Sequence, residues 1–414
     1  MAKALADHWA QRELSVSLLP PEAVLTTLLD VLYQASLLRE EGDPVRCRVL
    51  FAKPDELTAY SVDEVSRLRV LPFAEPALLT PNNLRKLSAA AGFYRALMAV
   101  HMDEDGSLAI WGMVFTGTEW VNQVEGCRFE GVPLPPNLVI QASGPGHLIA
   151  AAGYSRVLET KNGQLLTEGF DPFQSEWLPE RFNEFRRSLL QQLPKARAND
   201  HATQICNSFV RDAGQSVVRR VLRLVRDRRH GGMLVFLPDD PKNSNISSQW
   251  LRFRVQFKSD NSNLLYRRLI LRLLNRALEV GRSRGMDLVT WGDYQRLRDD
   301  ELTHIDDALI EFGHLLADMM NIDGALVLDR SFRLLGFGGE ILGEKPVLQI
   351  HRALDLEANR SIVEPGDSAG TRHRSAYRLV NGLREAIAVV ISQDGDVRFV
   401  AHHLGKLTYW PYLP

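Results

Sequence analysis

The sequence lacks the features of a disulfide-stabilised or membrane-spanning protein. Its 414 residues contain only three cysteines, Cys47, Cys127 and Cys206, which are widely spaced and form no CxxC pair. This pattern predicts reduced thiols and neither a disulfide framework nor a zinc site. No stretch approaches the ~20 apolar residues of a spanning helix, and the first segment, MAKALADHWAQREL, has no uninterrupted apolar core of a signal peptide. We therefore predict a cytoplasmic protein without a membrane partner.

An excess of charge of one sign is also missing. The chain has 49 Lys and Arg residues against 51 Asp and Glu residues, a formal net charge of −2. Such a balance provides no general attraction to nucleic acid or to an anionic membrane. Any site for an anion must therefore be local, and we do not expect nucleic acid as a partner.

Most short catalytic signatures are absent as well. The sequence has no HExxH, no GxSxG, no kinase signature and no Cys–His nucleophile arrangement. Gly144 and Gly146 in SGPGHL lack both the Lys-Ser/Thr pair and the GxGxxG spacing of phosphate loops, so we interpret this segment as a turn.

What is present is the composition of a globular protein, 45% hydrophobic and 24% charged, long enough for two or three domains. Short strand-like runs bounded by turn residues predict a strand-rich, mixed α+β domain over residues 1–170. A helical connector follows over 171–229. Residues 230–410 alternate strands and helices, with an insertion at about 240–300. The expected fold class is α/β (α+β), with a mixed sheet flanked by helices in the second domain.

Two segments provide the main evidence for this second domain. The segment HGGMLVFLPDD, residues 230–240, contains a short apolar run, MLVFL, between two glycines and a turn. A run of this length with these boundaries predicts a buried strand. A core-packed helix is predicted over 301–320, because apolar residues step by three and four. These residues are Leu302, Ile305, Leu309, Phe312, Leu316 and Met319.

A helix rich in arginine precedes them. Val218, Val221, Leu222 and Val225 form an apolar stripe, while Arg219, Arg220, Arg223 and Arg226 lie largely off it. The interpretation we favour is a helix docked by its apolar side, with a solvated basic face. Contact with a nucleic-acid backbone is the alternative, which the near-zero net charge and the lack of interleaved aromatic residues disfavour.

Asp323, Gly324 and Ala325 lie where a helix leads into a strand. A carboxylate at this position can hold Mg²⁺ or Mn²⁺, and the small residues permit close approach of a ligand. Taken alone, Asp-Gly is more often an ordinary turn pair.

The segment GTRHR gives a stronger signal. Gly370, Thr371, Arg372, His373 and Arg374 stand at a predicted helix start, where unpaired backbone N–H groups attract anions. Guanidinium groups can bind phosphate through paired hydrogen bonds. Because cations are unfavourable at this end of the helix dipole, a bound anion explains them better than a solvated surface does. Ser392, in VVISQDGD, by itself indicates only a hairpin.

DGALVL, GTRHRSA and VVISQDG follow one another in the order and at the intervals of the diadenylate cyclase (DAC) domain, which residues 230–410 resemble. HGGMLVFLP stands in the place of that family's first strand. More closely, the chain resembles the divergent branch called DACNV, regarded as a nucleotide-sensor domain. The N-terminal part, including SGPGHL, would be the remainder of the same protein type.

The resemblance implies roles for individual residues. Asp323 would be the catalytic, metal-binding aspartate, and Gly324, Ala325, Gly370, Thr371, Arg372, His373, Arg374 and Ser392 would hold the nucleotide. The third motif departs from the family's Ser-Glu-Glu or Ser-x-Arg-Arg, because Gln393 and Asp394 follow Ser392. The loss of this charged pair puts turnover in doubt more than binding.

Two functions therefore remain open at this point. The first is a sensor that recognises an adenine nucleotide or a cyclic dinucleotide. The second is an active diadenylate cyclase, which would use Mg²⁺ or Mn²⁺ and a homo-oligomer with facing sites to join two ATP molecules. The altered third motif favours the sensor.

Overall fold

The computed structural model describes residues 1–11, 14–58, 68–103, 105–116, 134–161, 163–166, 171–193, 203–238, 249–258, 264–343, 346–393 and 395–412. Cys127, residues 239–248 and Asp394 lie outside these residues. The chain divides into two compact units, the first within residues 1–168 and the second from residue 169 onward.

The first unit contains four described helices and ten described strands. The helices are α1 Ala2–Gln11, α2 Glu22–Leu37, α3 Pro54–Thr58 and α4 Pro81–Ala90, with a 3-10 turn at Val16–Leu18. The strands are β1 Arg39–Glu40, β2 Asp43–Pro44, β3 Cys47–Phe51, β4 Arg69–Leu78, β5 Ala96–Met102, β6 Leu108–Phe115, β7 Leu138–Gly144, β8 His147–Ala152, β9 Ser155–Lys161 and β10 Gln164–Leu166.

An eight-stranded sheet organises the first unit, in the order β10-β9-β8-β7-β3-β5-β6-β4. Only β3 and β5 pair in parallel among these strands. Helix α2 covers one face, where Leu28, Leu32 and Ala35 are fully buried. The strand-rich α+β fold predicted for this part of the chain is confirmed, and SGPGHL forms the β7–β8 turn.

The second unit contains seven described helices, α5 Trp177–Glu180, α6 Asn183–Leu190, α7 Phe209–Asp227, α8 Leu265–Ser283, α9 Trp291–Arg296, α10 Asp300–Met319 and α11 Thr371–Gly382, with a 3-10 turn at Pro172–Gln174. Its strands are β11 Gln204–Ile205, β12 Gly232–Leu237, β13 Leu251–Arg252, β14 Val255–Gln256, β15 Leu288–Val289, β16 Ala325–Asp329, β17 Leu334–Ile341, β18 Gln349–Ala353, β19 Ser361–Pro365, β20 Ile387–Ile391, β21 Val397–His403 and β22 Lys406–Tyr412.

A mixed sheet in the order β13-β17-β16-β12-β20-β21-β22-β18-β19 forms the centre of this unit, with β14 also pairing with β17. Alternate residues of β12 face opposite sides, as a strand buried on both faces requires. Leu234 and Phe236 pack with α7, α8 and α10, whereas Met233 and Val235 pack under α11. The fold is therefore mixed α+β, with helices on both faces of the sheet.

Local sequence explains the helix α10. The Asp299 carboxylate accepts a hydrogen bond from the Leu302 N–H, which satisfies one of the unpaired donors at the helix start. Its predicted apolar stripe is buried from Leu302 through Leu316. The predicted connector, 171–229, contains α5, α6, β11 and α7, and α7 contributes to the core of the second unit. The predicted division into a connector, 171–229, and a domain, 230–410, stays a prediction.

The prediction of a solvated basic face on α7 is wrong for two of its arginines. Arg220 is only 3% exposed, and its Nη1 donates to the Leu309 carbonyl at 3.2 Å. Arg219 donates to the Asp171 carboxylate and to the Tyr412 hydroxyl, both at 2.7 Å. The periodicity could not show this, because all three partners come from distant parts of the chain.

The two described cysteines carry free thiols, with Cys47 buried and Cys206 half-buried. Burial raises the pKa of the Cys47 thiol to about 12, so it remains protonated at neutral pH. Within the described ranges, no helix is both long enough and apolar enough to cross a bilayer.

Candidate functional site

Three of the DAC-like segments, HGGMLVFLP, DGALVL and VVISQDG, meet at one end of the second sheet. Strand β12 pairs in parallel with β16, with Met233 opposite Ala325, and antiparallel with β20, with Gly232 opposite Ile391. The residues that precede β12, those that precede β16 and those that follow β20 therefore lie at the same edge. Sheet register thus brings HGG, DGA and the residues Ser392 and Gln393 together.

Close backbone packing fixes the DGA turn. Gly324 has a φ of +116°, and a Cβ on it would lie 2.5 Å from the carbonyl carbon of Gly338. Gly338 in β17 also has a positive φ, +61°. Only glycine combines this conformation with so close an approach. The turn that carries Asp323 therefore rests directly on the neighbouring strand.

Gly231 marks the point where three of the segments touch. Its φ is +71°, and a Cβ there would lie 2.9 Å from the Ile391 carbonyl oxygen and 3.1 Å from the Gln393 nitrogen. The same Cβ would lie 3.2 Å from Nη1 of Arg372. The Arg372 guanidinium therefore packs against the bare backbone of HGG, beside the third motif.

Helix α11 begins above this edge without a side-chain cap. Gly370 is the N-cap residue in an extended conformation, and the first helical turn contains no acidic residue. Thr371 and Arg374 are exposed, so a hydroxyl and a guanidinium flank the helix start. Uncapped N–H groups and the positive end of the helix dipole favour an anion at this position.

Asp323 and Arg372 form the central contact of the site. Nη2 of Arg372 donates to Oδ1 of Asp323 at 3.3 Å. The Asp323 side chain is 90% exposed and that of Arg372 is 31% exposed. A pair this accessible to solvent contributes only about 0–1 kcal/mol. A ligand phosphate can therefore replace the carboxylate at little cost.

His373 differs from its neighbours because it is only 7% exposed. Burial lowers its pKa to about 4, the Arg398 guanidinium acts in the same direction, and Asp396 opposes them. Its Nε2 has no hydrogen-bond partner among the residues that the structure describes. The imidazole is therefore neutral at physiological pH, and it can offer a hydrogen bond but no positive charge.

Ser392 is used by the hairpin that follows β20. Its Oγ accepts from the Asp396 N–H at 3.0 Å, and its own N–H donates to the Asp396 carbonyl at 2.8 Å. Ala325 is buried within β16, so it can offer only backbone to a ligand. These two members of the predicted set have structural roles.

The carboxylates of the described residues form no ready-made metal centre. No group of three or more His, Cys, Asp and Glu side chains is arranged to hold a metal in this part of the chain. Mg²⁺ often binds through one or two carboxylates, several waters and the phosphates of a substrate. Asp323 fits such a phosphate-borne ion better than one held by the protein alone.

Sequence reasoning missed Gly231, Gly338 and Arg226 as parts of the site. A Cβ on Gly395 would lie 3.1 Å from Nε of Arg226, so this α7 arginine packs on the third-motif turn. The signals available were the Gly-Gly pair before a buried strand and the GFGG run in β17, since such glycines often permit close backbone approach.

Residues 15–115 match the family model described as "Probable sensor domain DACNV". The predicted resemblance to DACNV is thereby confirmed, and the match lies in the first unit. The three motifs on which the resemblance was based lie in the second unit, outside the matched residues.

Among solved structures, the chain is similar to the "hypothetical membrane spanning protein from Bacillus cereus", at 15% sequence identity and a TM-score of 0.24. The alignment covers 48% of this chain and 64% of that chain, which is less than two thirds of its length. No curated protein matches the sequence.

Proposed function

We propose that this chain is a sensor whose second unit binds an adenine nucleotide or a cyclic dinucleotide. The observation that carries the proposal is the contact between Arg372 and Asp323 at the uncapped start of α11. The match of residues 15–115 to a sensor domain supports the sensing role.

In this proposal the phosphates bind at the N-terminal end of α11. Arg372 and Arg374 donate charge-assisted hydrogen bonds, and Thr371 adds its hydroxyl. The N–H groups that follow Gly370 provide further donors. Asp323, released from Arg372, either holds a phosphate-bound Mg²⁺ or Mn²⁺ or accepts a hydrogen bond from a ribose hydroxyl. Gly324 leaves space for the ligand beside it.

The active diadenylate cyclase is the second candidate, and the exposed Asp323 carboxylate favours it. Cyclisation would need two copies of the site facing each other, because each ATP supplies one 3′-hydroxyl and receives one phosphoryl group. Positioning and charge neutralisation supply most of the catalysis in such transfers. Ser392 already accepts a backbone hydrogen bond, and the usual charged pair after it is replaced, so we favour binding without efficient turnover.

The test uses the full-length protein with ATP or cyclic di-AMP, with and without Mn²⁺. Calorimetric titration measures binding, and mass spectrometry of the same mixtures detects any dinucleotide formed. Saturable binding without multiple turnover is the result expected for a sensor. Repeated synthesis of cyclic di-AMP would instead establish the cyclase, and the absence of binding by either nucleotide would refute both candidates.

A further inference from the structure

A cavity lies on the face of the second sheet opposite α11. It is bounded by α6, α7 and strands of the sheet, and its walls include Phe182, Phe185, Phe236, Tyr266, Phe332 and Phe399. Its volume, counted as the space open to the centres of water molecules, is about 60 Å³. One water needs roughly 10–15 Å³ by this measure, so the cavity has room for a small organic group.

The aromatic wall is held in place by a tight turn. Phe332 has a φ of +61°, a conformation that costs a bulky residue free energy. The Asp329 carboxylate maintains it by accepting from the N–H groups of Ser331 and Arg333 at 3.0 and 2.9 Å. Tyr266 stacks on Phe332 with ring centroids 4.3 Å apart. The wall is therefore preformed.

Polar groups at the wall are few. Tyr266 is 1% exposed, and burial raises the pKa of its hydroxyl, which stays protonated as a donor. A Cβ on Gly214 would lie 3.2 Å from this hydroxyl, so Tyr266 packs directly against the backbone of Gly214. Gln215 also lines the cavity, with its Nε2 bonded to the Phe173 carbonyl at 2.8 Å.

Arginines lie at the rim of the cavity, where it reaches the surface. Arg186 and Arg211 line it, and Arg211 is exposed. The guanidinium carbon of Arg267 lies 5.9 Å from the ring centroid of Phe185, another lining residue. An apolar interior with cationic groups at its rim differs from an ordinary packing defect, which has no reason to place charges there.

Nearby carboxylates do not cancel this charge completely. Arg211 pairs with Asp212 at 3.0 Å, and Glu180 also favours the charged form of Arg186. The pKa of Arg186 is nevertheless lowered, first by burial and then by Arg211 and Arg187. An added anion at the rim would relieve this repulsion.

We propose that this cavity binds a small amphipathic carboxylate, with an aromatic ring or short branched chain inside and the carboxylate at Arg186 and Arg211. The aromatic rings provide edge-to-face and stacking contacts for such a ligand, and the guanidiniums provide paired hydrogen bonds. The site is separate from the nucleotide site proposed at α11, since it lies across the sheet.

The test compares three probes of similar size on the full-length protein: phenylacetate, its neutral amide phenylacetamide and the cation 2-phenylethylamine. Calorimetric titration and ligand-observed NMR measure binding. We expect phenylacetate to bind about tenfold more tightly than the amide, the difference typical of one charge-assisted contact, and the cation to bind most weakly.

Variants locate the binding. Arg186→Gln and Arg211→Gln should each weaken phenylacetate about tenfold and leave the amide unchanged. Arg296→Gln, which replaces a 77% exposed arginine of α9 that does not line the cavity, is the matched control and should change neither. Gly214→Leu should block all three probes. If Gly214→Leu fails to fold, the two arginine variants test the proposal without it. Absence of phenylacetate binding by the unmodified protein, or undiminished phenylacetate affinity in both Arg186→Gln and Arg211→Gln, would overturn the proposal.

Discussion

The guanidinium of Arg372 lies 3.3 Å from the carboxylate of Asp323, although 49 positions separate them in the sequence. This contact joins the start of α11 to the DGA turn. Because neither side chain is buried, the two can separate without leaving a desolvated charge. The pair can therefore open for a ligand while the surrounding backbone stays in place.

The first prediction concerns the two arginines of α11. The double variant Arg372→Ala, Arg374→Ala should abolish the rise in Tm caused by ATP or cyclic di-AMP, because it removes both guanidiniums that would bind phosphate. The Tm without nucleotide should change little. Thermal unfolding monitored by fluorescence measures both quantities. Arg384→Ala, which removes an exposed charge beyond the other end of the helix, should retain the nucleotide effect. If nucleotide raises the Tm of the double variant as much as that of the unmodified protein, the assignment of these arginines to phosphate binding is wrong.

The second prediction tests the close packing at Gly231. Gly231→Ala should lower the free energy of unfolding by about 2 kcal/mol or more, since left-handed backbone costs ~1–2 kcal/mol and the new Cβ meets Ile391 and Arg372. Gly285→Ala is the control, with a φ of +69° and open space around it. It should cost about 1 kcal/mol. Denaturant unfolding compares the two, and equal losses would contradict the close contact.

The third prediction assigns the carboxylate of Asp323. Asp323→Asn should reduce the gain in nucleotide affinity that Mn²⁺ provides, because an amide is a poorer ligand for a hard cation. Stability should change by less than ~1 kcal/mol, since the lost ion pair is exposed. Asp318→Asn, a 62% exposed carboxylate paired with Arg228, should keep the metal effect. Titrations with and without Mn²⁺ provide the measurement. A full metal effect in Asp323→Asn would exclude this role.

The fourth prediction concerns pH. Burial lowers the folded pKa of His373 to about 4 from an ordinary 6.5, so the unfolded chain binds the proton more readily. The contribution of this group to the free energy of unfolding is fully present above pH 6.5 and is lost as the pH falls toward 4. At pH 5 the loss is about 2 kcal/mol. His373→Gln should remove this part of the pH dependence, measured by urea unfolding at pH 7.5 and pH 5. His304→Gln, at an exposed position of α10, should not. An unchanged slope in His373→Gln would refute the buried neutral imidazole.

The fifth prediction sets the start of the second unit. A fragment of residues 169–414 should melt cooperatively, whereas one beginning at residue 175 should be less stable by about 3 kcal/mol. The shorter fragment lacks Phe173, whose ring packs edge-on against Phe399 and Tyr412, and large buried aromatic residues contribute ~3–5 kcal/mol. It also lacks Asp171, the partner of Arg219. Calorimetry of both fragments tests this, and identical melting would show that the 171–174 contacts are dispensable.

Local chemistry made much of this protein predictable. The stripe of α10 follows from apolar residues that recur every three to four positions. The buried strand β12 follows from a short apolar run between glycines and a turn, and the start of α11 at Thr371 follows from the turn residues before it. These signals come from near neighbours in the chain. The sequence alone therefore indicated the mixed α+β fold and the grouping of cations at 370–374.

Only the tertiary structure decided what those residues contact. Sheet register brought Arg372 to Asp323 and Gly231. His373 and Arg220 are buried by tertiary packing, which the periodicity of the sequence did not predict. The rim arginines and the aromatic cavity likewise belong to separate segments that meet only in the fold. Burial and charge pairing depend on residues far apart in sequence, and a local pattern carries no information about which distant segment will pack against it.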